Sequence, residues 1–286
     1  MVVSRAAGKL TDLVHYRAID GLDLSALYSP GVPSAKWLLV YVHGFGGDFY
    51  SSPLVESLHR TLSSVASFAS IGTRVTGYLS EIYRDTGVRY VGAAVEDFDS
   101  VELDILGFLS YAKRWNPERI ALVGHSFGTN IAARFAHDHP AQIERLALLS
   151  PADSVGLQRR WEDENVAGET NDRQRLAWDL FGIVASGVRY QIPITVGGFA
   201  ALLRSETFNY WSRADALEFA VPAKVIRGSL DEISNFGSIR DASAPLSTTT
   251  STVEGAGHGF NGHEAEVSSI LQSWISASEN SAIDGN

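Results

Sequence analysis

The stretch Arg119-Ile120-Ala121-Leu122-Val123-Gly124-His125-Ser126-Phe127-Gly128-Thr129-Asn130-Ile131-Ala132-Ala133 decides how the rest of the chain is read. An apolar run enters Gly-His-Ser-Phe-Gly, and an alanine-rich helical pattern leaves it. The pattern predicts a strand, a tight turn and a helix, with Ser126 at the apex of the turn. Gly124 and Gly128 flank the serine for a steric reason. A nucleophile on a strained elbow needs neighbours without a Cβ, so that strand and helix can close around it. The Ser126 hydroxyl would stand clear of the sheet. The Phe127 amide, opening the helix, would face the same space.

Working outward, apolar runs alternate with helical spacing. Leu10 to Arg17 and Leu22 to Ser29 read as strands around Asp20-Gly21, a hairpin signal. Trp37-Leu38-Leu39-Val40-Tyr41-Val42 is continuously apolar, as a central strand buried on both faces must be. It ends in His43-Gly44-Phe45-Gly46-Gly47. A helix from Pro53 to about Ser64 and a strand from Ser67 to Ile71 follow. Gly72 to Gly92 reads as a long loop with short irregular elements. Glu96 to Trp115 has a helical stripe in Val101, Ile105, Leu106, Leu109 and Ala112. The elbow helix ends near His139-Pro140, and Arg145 to Leu149 forms another buried strand, the sixth.

The rhythm then breaks. Residues 152–221 carry helical patterns at Asn171 to Ser186 and Ile194 to Leu203, and many aromatics, including Trp161, Trp178, Phe181, Tyr190, Phe199, Phe208, Tyr210 and Trp211. A helical insertion between two sheet strands reads most simply as a lid. The sheet resumes at Ala223 to Gly228 and again at Thr248 to Val253. A closing helix runs from Glu264 to about Ser276, and Glu279 to Asn286 reads as a frayed tail. Three units are therefore expected: a first part of the core over 1–151, a lid over 152–221, and a second part of the core over 222–286.

The 286-residue chain is 45% hydrophobic and 20% charged, ordinary values for a soluble globular protein. It has no cysteine, which excludes a disulfide framework, a cysteine-based metal site and a cysteine nucleophile. A formal charge of −10 argues against a nucleic-acid partner and against an anionic membrane surface. The amino-terminal residues Met1 to Lys9 lack the apolar run of a signal peptide, and no window reaches the length of a membrane span. A cytoplasmic enzyme is the expectation.

Strand–helix alternation points to a mostly parallel, doubly wound sheet, in which ligands sit outside the carboxyl ends of the strands. Four stretches fall at that edge: His43 to Gly47, Ser126, Asp231 and His258. A serine hydroxyl becomes a useful nucleophile when a base takes its proton. A neutral histidine suits that task, and a carboxylate on its other nitrogen fixes the tautomer. The order Ser126, Asp231, His258 leaves room for an insertion before the acid and one helix between acid and base. Glycines at 255, 257 and 259 let the loop carrying His258 bend over the serine. His263 is the rival base, and Asp153 the alternative acid. His125 is expected as a packing and hydrogen-bonding neighbour, and His137 and His139 as the polar end of a helix. The amides of Phe45 and Phe127 would form an oxyanion hole. The glycines after His43 could also suit a phosphate, but no Gly-Lys-Ser/Thr sequence is present.

Together, His43-Gly44-Phe45-Gly46-Gly47, Gly124-His125-Ser126-Phe127-Gly128, Asp231 in Gly-Ser-Leu-Asp and His258 in Gly-Ala-Gly-His-Gly resemble the α/β-hydrolase superfamily over nearly the whole chain. Phe49-Tyr50-Ser51-Ser52-Pro53-Leu54 and Gly92-Ala93-Ala94-Val95-Glu96-Asp97-Phe98 resemble a group that includes fungal siderophore esterases. The resemblance implies an α/β-hydrolase fold and hydrolysis of a small-molecule ester, lactone or thioester through an acyl-enzyme, with no metal or organic cofactor. Serine at the elbow, where related families that open epoxides or remove halogens have aspartate, argues against their chemistry. The same triad also serves carbon–carbon, amide or peptide cleavage. A catalytically silent or cyclising version of the fold is the remaining alternative.

Overall fold

The structure is a computed structural model and describes residues 11–84, 87–159, 182–185, 188–213, 215–216, 218–234 and 248–281. Its centre is β3 (Trp37–Val42), whose six residues are all buried. Alternate side chains serve the two faces of the sheet. Leu38, Val40 and Val42 join one hydrophobic cluster, and Trp37, Leu39 and Tyr41 join the other. A strand that must feed two cores cannot alternate with polar residues, which is why its sequence is continuously apolar.

Around it stand β1 (Asp12–Arg17), β2 (Asp23–Ser29), β4 (Ala66–Ile71), β7 (Arg119–His125), β8 (Arg145–Leu149), β11 (Ala223–Gly228) and β12 (Thr248–Val253). The eight-stranded sheet has the order β1-β2-β4-β3-β7-β8-β11-β12. Only β2 runs against the others: it pairs antiparallel with β1 and β4, and the remaining pairs are parallel. Helices α2 (Val101–Ala112) and α3 (Gly128–Asp138) cover one face through Ile105, Phe108, Ile131 and Phe135. Helices α1 (Pro53–Leu62) and α5 (Glu264–Ser281) cover the other through Leu54, Leu58, Leu62, Val267, Leu271 and Ile275. This is the mostly parallel, doubly wound α/β-hydrolase sheet that the sequence predicts. Among the described residues no helix is long and apolar enough to cross a membrane.

Two expectations change. The stretch from Gly72 to Gly92 holds an antiparallel hairpin, β5 (Ser80–Arg84) with β6 (Gly87–Val91), separate from the main sheet. Its pattern escapes sequence reading because Leu79, Val88 and Tyr90 are exposed, so no buried stripe marks the strands. The insertion after β8 is not wholly helical. Its described part contains the hairpin β9 (Gly182–Ala185) with β10 (Val188–Gln191), as well as the expected helix, α4 (Val196–Arg204). Ile183, Val184 and Val188 are β-branched and favour strand, against the helix read through Ser186. The rest of that helix, Trp161 and Trp178 lie outside the described residues.

One buried ion pair organises the chain after β4. The Arg74 guanidinium, with a side chain only 3% exposed, lies 2.7 Å from the wholly buried Asp104 of α2 and 3.0 Å from Asp20. The Arg74 amide also donates to Asp104 at 2.7 Å. Burial works against the charge on Arg74, but the bonds and charges of Asp104 and then Asp20 outweigh it and hold the guanidinium more firmly protonated than usual. The loop is thereby tied to α2 and to the β1–β2 turn.

Candidate active site

Strand register sets the site. Val42 pairs with Gly124 and His125 with Leu149, so β3, β7 and β8 end at one level. Ser126 follows β7 with φ 56°, a left-handed conformation that costs a residue with a side chain about 1–3 kcal/mol. Its amide donates to the Leu149 carbonyl at 2.9 Å, which pins the turn to the neighbouring strand. A Cβ on Gly124 would strike the carbonyl of Gly128, and one on Gly128 would strike the carbonyls of Val42 and His43. Glycine at both positions is therefore a packing requirement of the elbow.

Three distant residues meet here. His258 Nε2 lies 2.7 Å from Ser126 Oγ, and His258 Nδ1 lies 3.0 Å from Asp231 Oδ1. The carboxylate can only accept, so Nδ1 carries the proton and Nε2 is free to accept the serine hydroxyl hydrogen. Asp231 Oδ1 also accepts from the amides of Ile233 and Ser234, both at 3.0 Å. Its side chain is 1% exposed. Burial alone would raise the Asp231 pKa, but the hydrogen bond and charge of His258, then the Ser234 bonds, hold it well below the usual carboxylate range. The acid is thus fixed in its ionised form, as an orienting partner for an imidazole must be.

His125 donates from Nε2 to the His258 carbonyl at 3.1 Å and so steadies the loop carrying that residue. Burial, reinforced by the nearby His258, lowers its pKa to about 4, and it stays neutral. Among the described residues the Phe127 amide has no acceptor. The Phe127 ring packs edge-on to Phe45 at 5.6 Å, and Phe98 stacks on Phe45 at 5.1 Å. The turn Gly44–Gly47, closed by a 3.1 Å bond from the Gly47 amide to the Gly44 carbonyl, lies so near that a methyl on Gly44 would sit 3.2 Å from Ser126 Oγ. All five residues singled out by sequence, Ser126, Asp231, His258, Phe45 and Phe127, therefore come to one edge of the sheet. The rival base and the alternative acid are engaged elsewhere: His263 faces Glu266, and Asp153 caps the amide of Gly156. His137 and His139, at the polar end of α3, meet Arg213 and Glu102.

Sequence reading misses what holds the Gly44–Gly47 turn. The buried His43 donates from Nδ1 to the Gly44 carbonyl at 2.9 Å. Its Nε2 accepts from the Thr76 hydroxyl at 2.8 Å, with Thr73 Oγ1 at 3.2 Å. Burial lowers the His43 pKa, which keeps this tautomer neutral. The glycines at 44, 46 and 47 mark the turn in the sequence; nothing there points to Thr73 or Thr76.

A serine hydroxyl hydrogen-bonded to an oriented imidazole, beside an unused amide, can attack a carbonyl and hold the resulting oxyanion. The family model for the alpha/beta hydrolase family matches residues 39–270. The chain belongs to the alpha/beta hydrolase family. As an alpha/beta hydrolase it is similar in structure to Est1E from Butyrivibrio proteoclasticus with ferulic acid bound, with 17% identity and a TM-score of 0.63 over 92% of this chain and 98% of that one. The esterase Pf2001 of Pyrococcus furiosus is similar with 13% identity and a TM-score of 0.63, covering 97% of each chain. So is XC6422 of Xanthomonas campestris, a serine hydrolase without a lid, with 14% identity, a TM-score of 0.57 and coverage of 93% and 94%. A comparison with curated protein sequences found no match.

Proposed function

We propose that this hydrolase cleaves a small-molecule carboxylic ester, lactone or thioester through an acyl-enzyme on Ser126. The observation that carries the reading is the unbroken chain of hydrogen bonds from Ser126 Oγ through the His258 imidazole to Asp231. His258 Nε2 takes the hydroxyl proton as Oγ bonds to the carbonyl carbon. The oxyanion is held by the Phe127 amide and the Phe45 amide. The tetrahedral intermediate then collapses, and the leaving alcohol or thiol receives the proton from His258. Water repeats the sequence on the acyl-enzyme, with His258 as base, and frees the acid. Asp231 remains ionised throughout and stabilises the imidazolium.

Phe45, Phe98 and Phe127 form an aromatic floor next to the turn, joined from the insertion by Phe208, whose ring lies 6.3 Å from that of Phe127. Phe98, Phe127 and Phe208 are buried and back the partly exposed Phe45, whose ring offers an apolar surface suited to an apolar or aromatic acyl group. The ferulic acid bound to Est1E is an acid of this kind. The insertion serves as the cover of the site, with its far end fixed. Asp99 accepts from Ser205 Oγ and from the amides of Glu206 and Thr207, and Asn130 Nδ2 donates to the Thr207 carbonyl.

The test is labelling with a fluorophosphonate, with the modified residue located by peptide mass spectrometry, alongside Ser126→Ala and His258→Ala. Stoichiometric labelling at Ser126, lost in both variants and accompanied by turnover of p-nitrophenyl esters, is the expected result. A folded protein that neither labels nor turns over these esters would overturn the reading.

A further inference from the structure

The chain between β4 and β5 is sewn to the Gly44–Gly47 turn at several points. His43 takes the Thr76 hydroxyl, and the Gly77 amide donates to the Gly47 carbonyl at 2.8 Å. From behind, the amides of Ala93 and Ala94 donate to the carbonyls of Gly77 and Tyr78, each at 2.9 Å. Arg74, two residues after Gly72, anchors the base of the same loop on Asp104. The backbone of Tyr78 is thereby fixed, and so is the direction from which its side chain can approach the turn.

That side chain rests on Gly46. Gly46 has φ 63°, and a methyl there would lie 2.5 Å from both Cε1 and Cζ of Tyr78. The end of the ring that bears the hydroxyl therefore occupies the space that the glycine leaves. The ring of Phe45, the residue before it, is 6.3 Å away. The same turn also comes close to Ser126: a methyl on Gly44 would sit 3.2 Å from Ser126 Oγ. Tyr78 is 38% exposed, and among the described residues its hydroxyl has no hydrogen-bond partner. Burial of the rest of the ring raises its pKa above the usual tyrosine range, which favours the protonated phenol as a donor. Packing alone explains a ring on Gly46. It does not explain a fixed phenol with an unused donor at the rim of this turn, where phenylalanine would fill the same space.

We propose that Tyr78 contacts the substrate: its phenolic O–H donates a hydrogen bond to the ester carbonyl oxygen held at the Gly44–Gly47 turn, and this bond strengthens as that oxygen becomes an oxyanion. The O–H bond stays intact, and no proton leaves the phenol. The proposal rests on the acyl-transfer reading above and adds to it a residue that lies in none of the sequence motifs.

Tyr78→Phe removes one oxygen and keeps the ring on Gly46; Tyr78→Ala removes both. With p-nitrophenyl acetate and butyrate, Tyr78→Phe is expected to lower kcat by about 10- to 100-fold while KM moves by less than about threefold. The rate at which a fluorophosphonate modifies Ser126 should fall in parallel, because the phosphonyl oxygen takes the oxyanion's place. Thermal unfolding of Tyr78→Phe should match that of the wild type. If Tyr78→Phe stays within about twofold of the wild-type kcat, the proposal is overturned whatever Tyr78→Ala does, and ring packing is the residue's whole role. A loss confined to KM overturns it as well, since the hydroxyl would then meet a part of the substrate away from the reacting oxygen. Wild-type protein that neither hydrolyses these esters nor labels at Ser126 would instead bring down the acyl-transfer reading, and this proposal with it. Failure of the Tyr78 proposal alone leaves wild-type turnover and labelling in place.

Discussion

Trp211 Nε1 donates to Asn130 Oδ1 at 2.9 Å, joining the end of the insertion to the first turn of the helix that follows Ser126. Asn130 is wholly buried, and its Nδ2 donates to Ser154 Oγ and the Thr207 carbonyl, each at 3.2 Å. One side chain thus ties both ends of the insertion to the elbow helix. Trp211→Phe keeps an aromatic ring but loses the indole N–H and leaves Asn130 short of a donor, a loss expected to cost about 1–3 kcal/mol in urea unfolding. A cost near zero would mean that water replaces the indole and that this end of the insertion is loosely held.

The Asp231–His258 pair gives a second expectation. Asp231→Asn preserves shape but presents an amide to Nδ1 and favours the wrong imidazole tautomer. We expect kcat for p-nitrophenyl acetate to fall by about 10³- to 10⁴-fold with KM little changed. A fall of less than about tenfold would show that His258 keeps its tautomer without the carboxylate.

Acid should weaken the fold through histidines. His59 Nδ1 lies 2.8 Å from Ser29 Oγ and Nε2 lies 3.0 Å from Ser70 Oγ. Ser70 Oγ already donates to the Phe49 carbonyl, so it accepts from Nε2–H, and Nδ1 must accept from Ser29. Burial lowers the His59 pKa from 6.5 to about 4. The unfolded chain therefore takes up a proton near pH 6.5, while the folded protein refuses it until about pH 4. Protons favour unfolding within that window, and the group contributes no slope outside it. Stability measured by urea unfolding should fall by up to about 3 kcal/mol between those limits on account of His59. His125, lowered over the same range, adds to the slope. His59→Gln should flatten it; an unchanged slope would assign the acid sensitivity elsewhere.

The parts of the site that could be read from sequence are those where chemistry restricts the residue type. The elbow needs glycine at 124 and 128 because carbonyls occupy the space a Cβ would take. The acid and base must follow strands that end at the same edge, and Gly228 and Val253 close those strands. The supporting groups were illegible because their residue types are ordinary for their elements. Asn130 reads as one polar residue in an amphipathic helix, and only the fold brings Trp211 and Ser154 to it. Asp104 lies outside the apolar stripe read for α2, yet it is buried against Arg74. Thr73, Thr76 and Tyr78 fall in a stretch without periodicity, and the order there comes from cross-loop hydrogen bonds. The hairpin within the insertion was hidden for a related reason: its strands are four residues each and pair with each other outside the main sheet.

Ser126 and His258 stand 132 residues apart in sequence, yet their side chains meet at one edge of the sheet. During synthesis, the elbow emerges long before β12 and the loop carrying His258. A nascent chain released or paused before that loop would hold a serine with no base and an unpaired Asp231. On the proposed acyl-transfer reading, nucleophilic reactivity at Ser126 would therefore be a late event in the life of each molecule. It would report completion of the whole parallel sheet and could serve as a clock for the last step of folding.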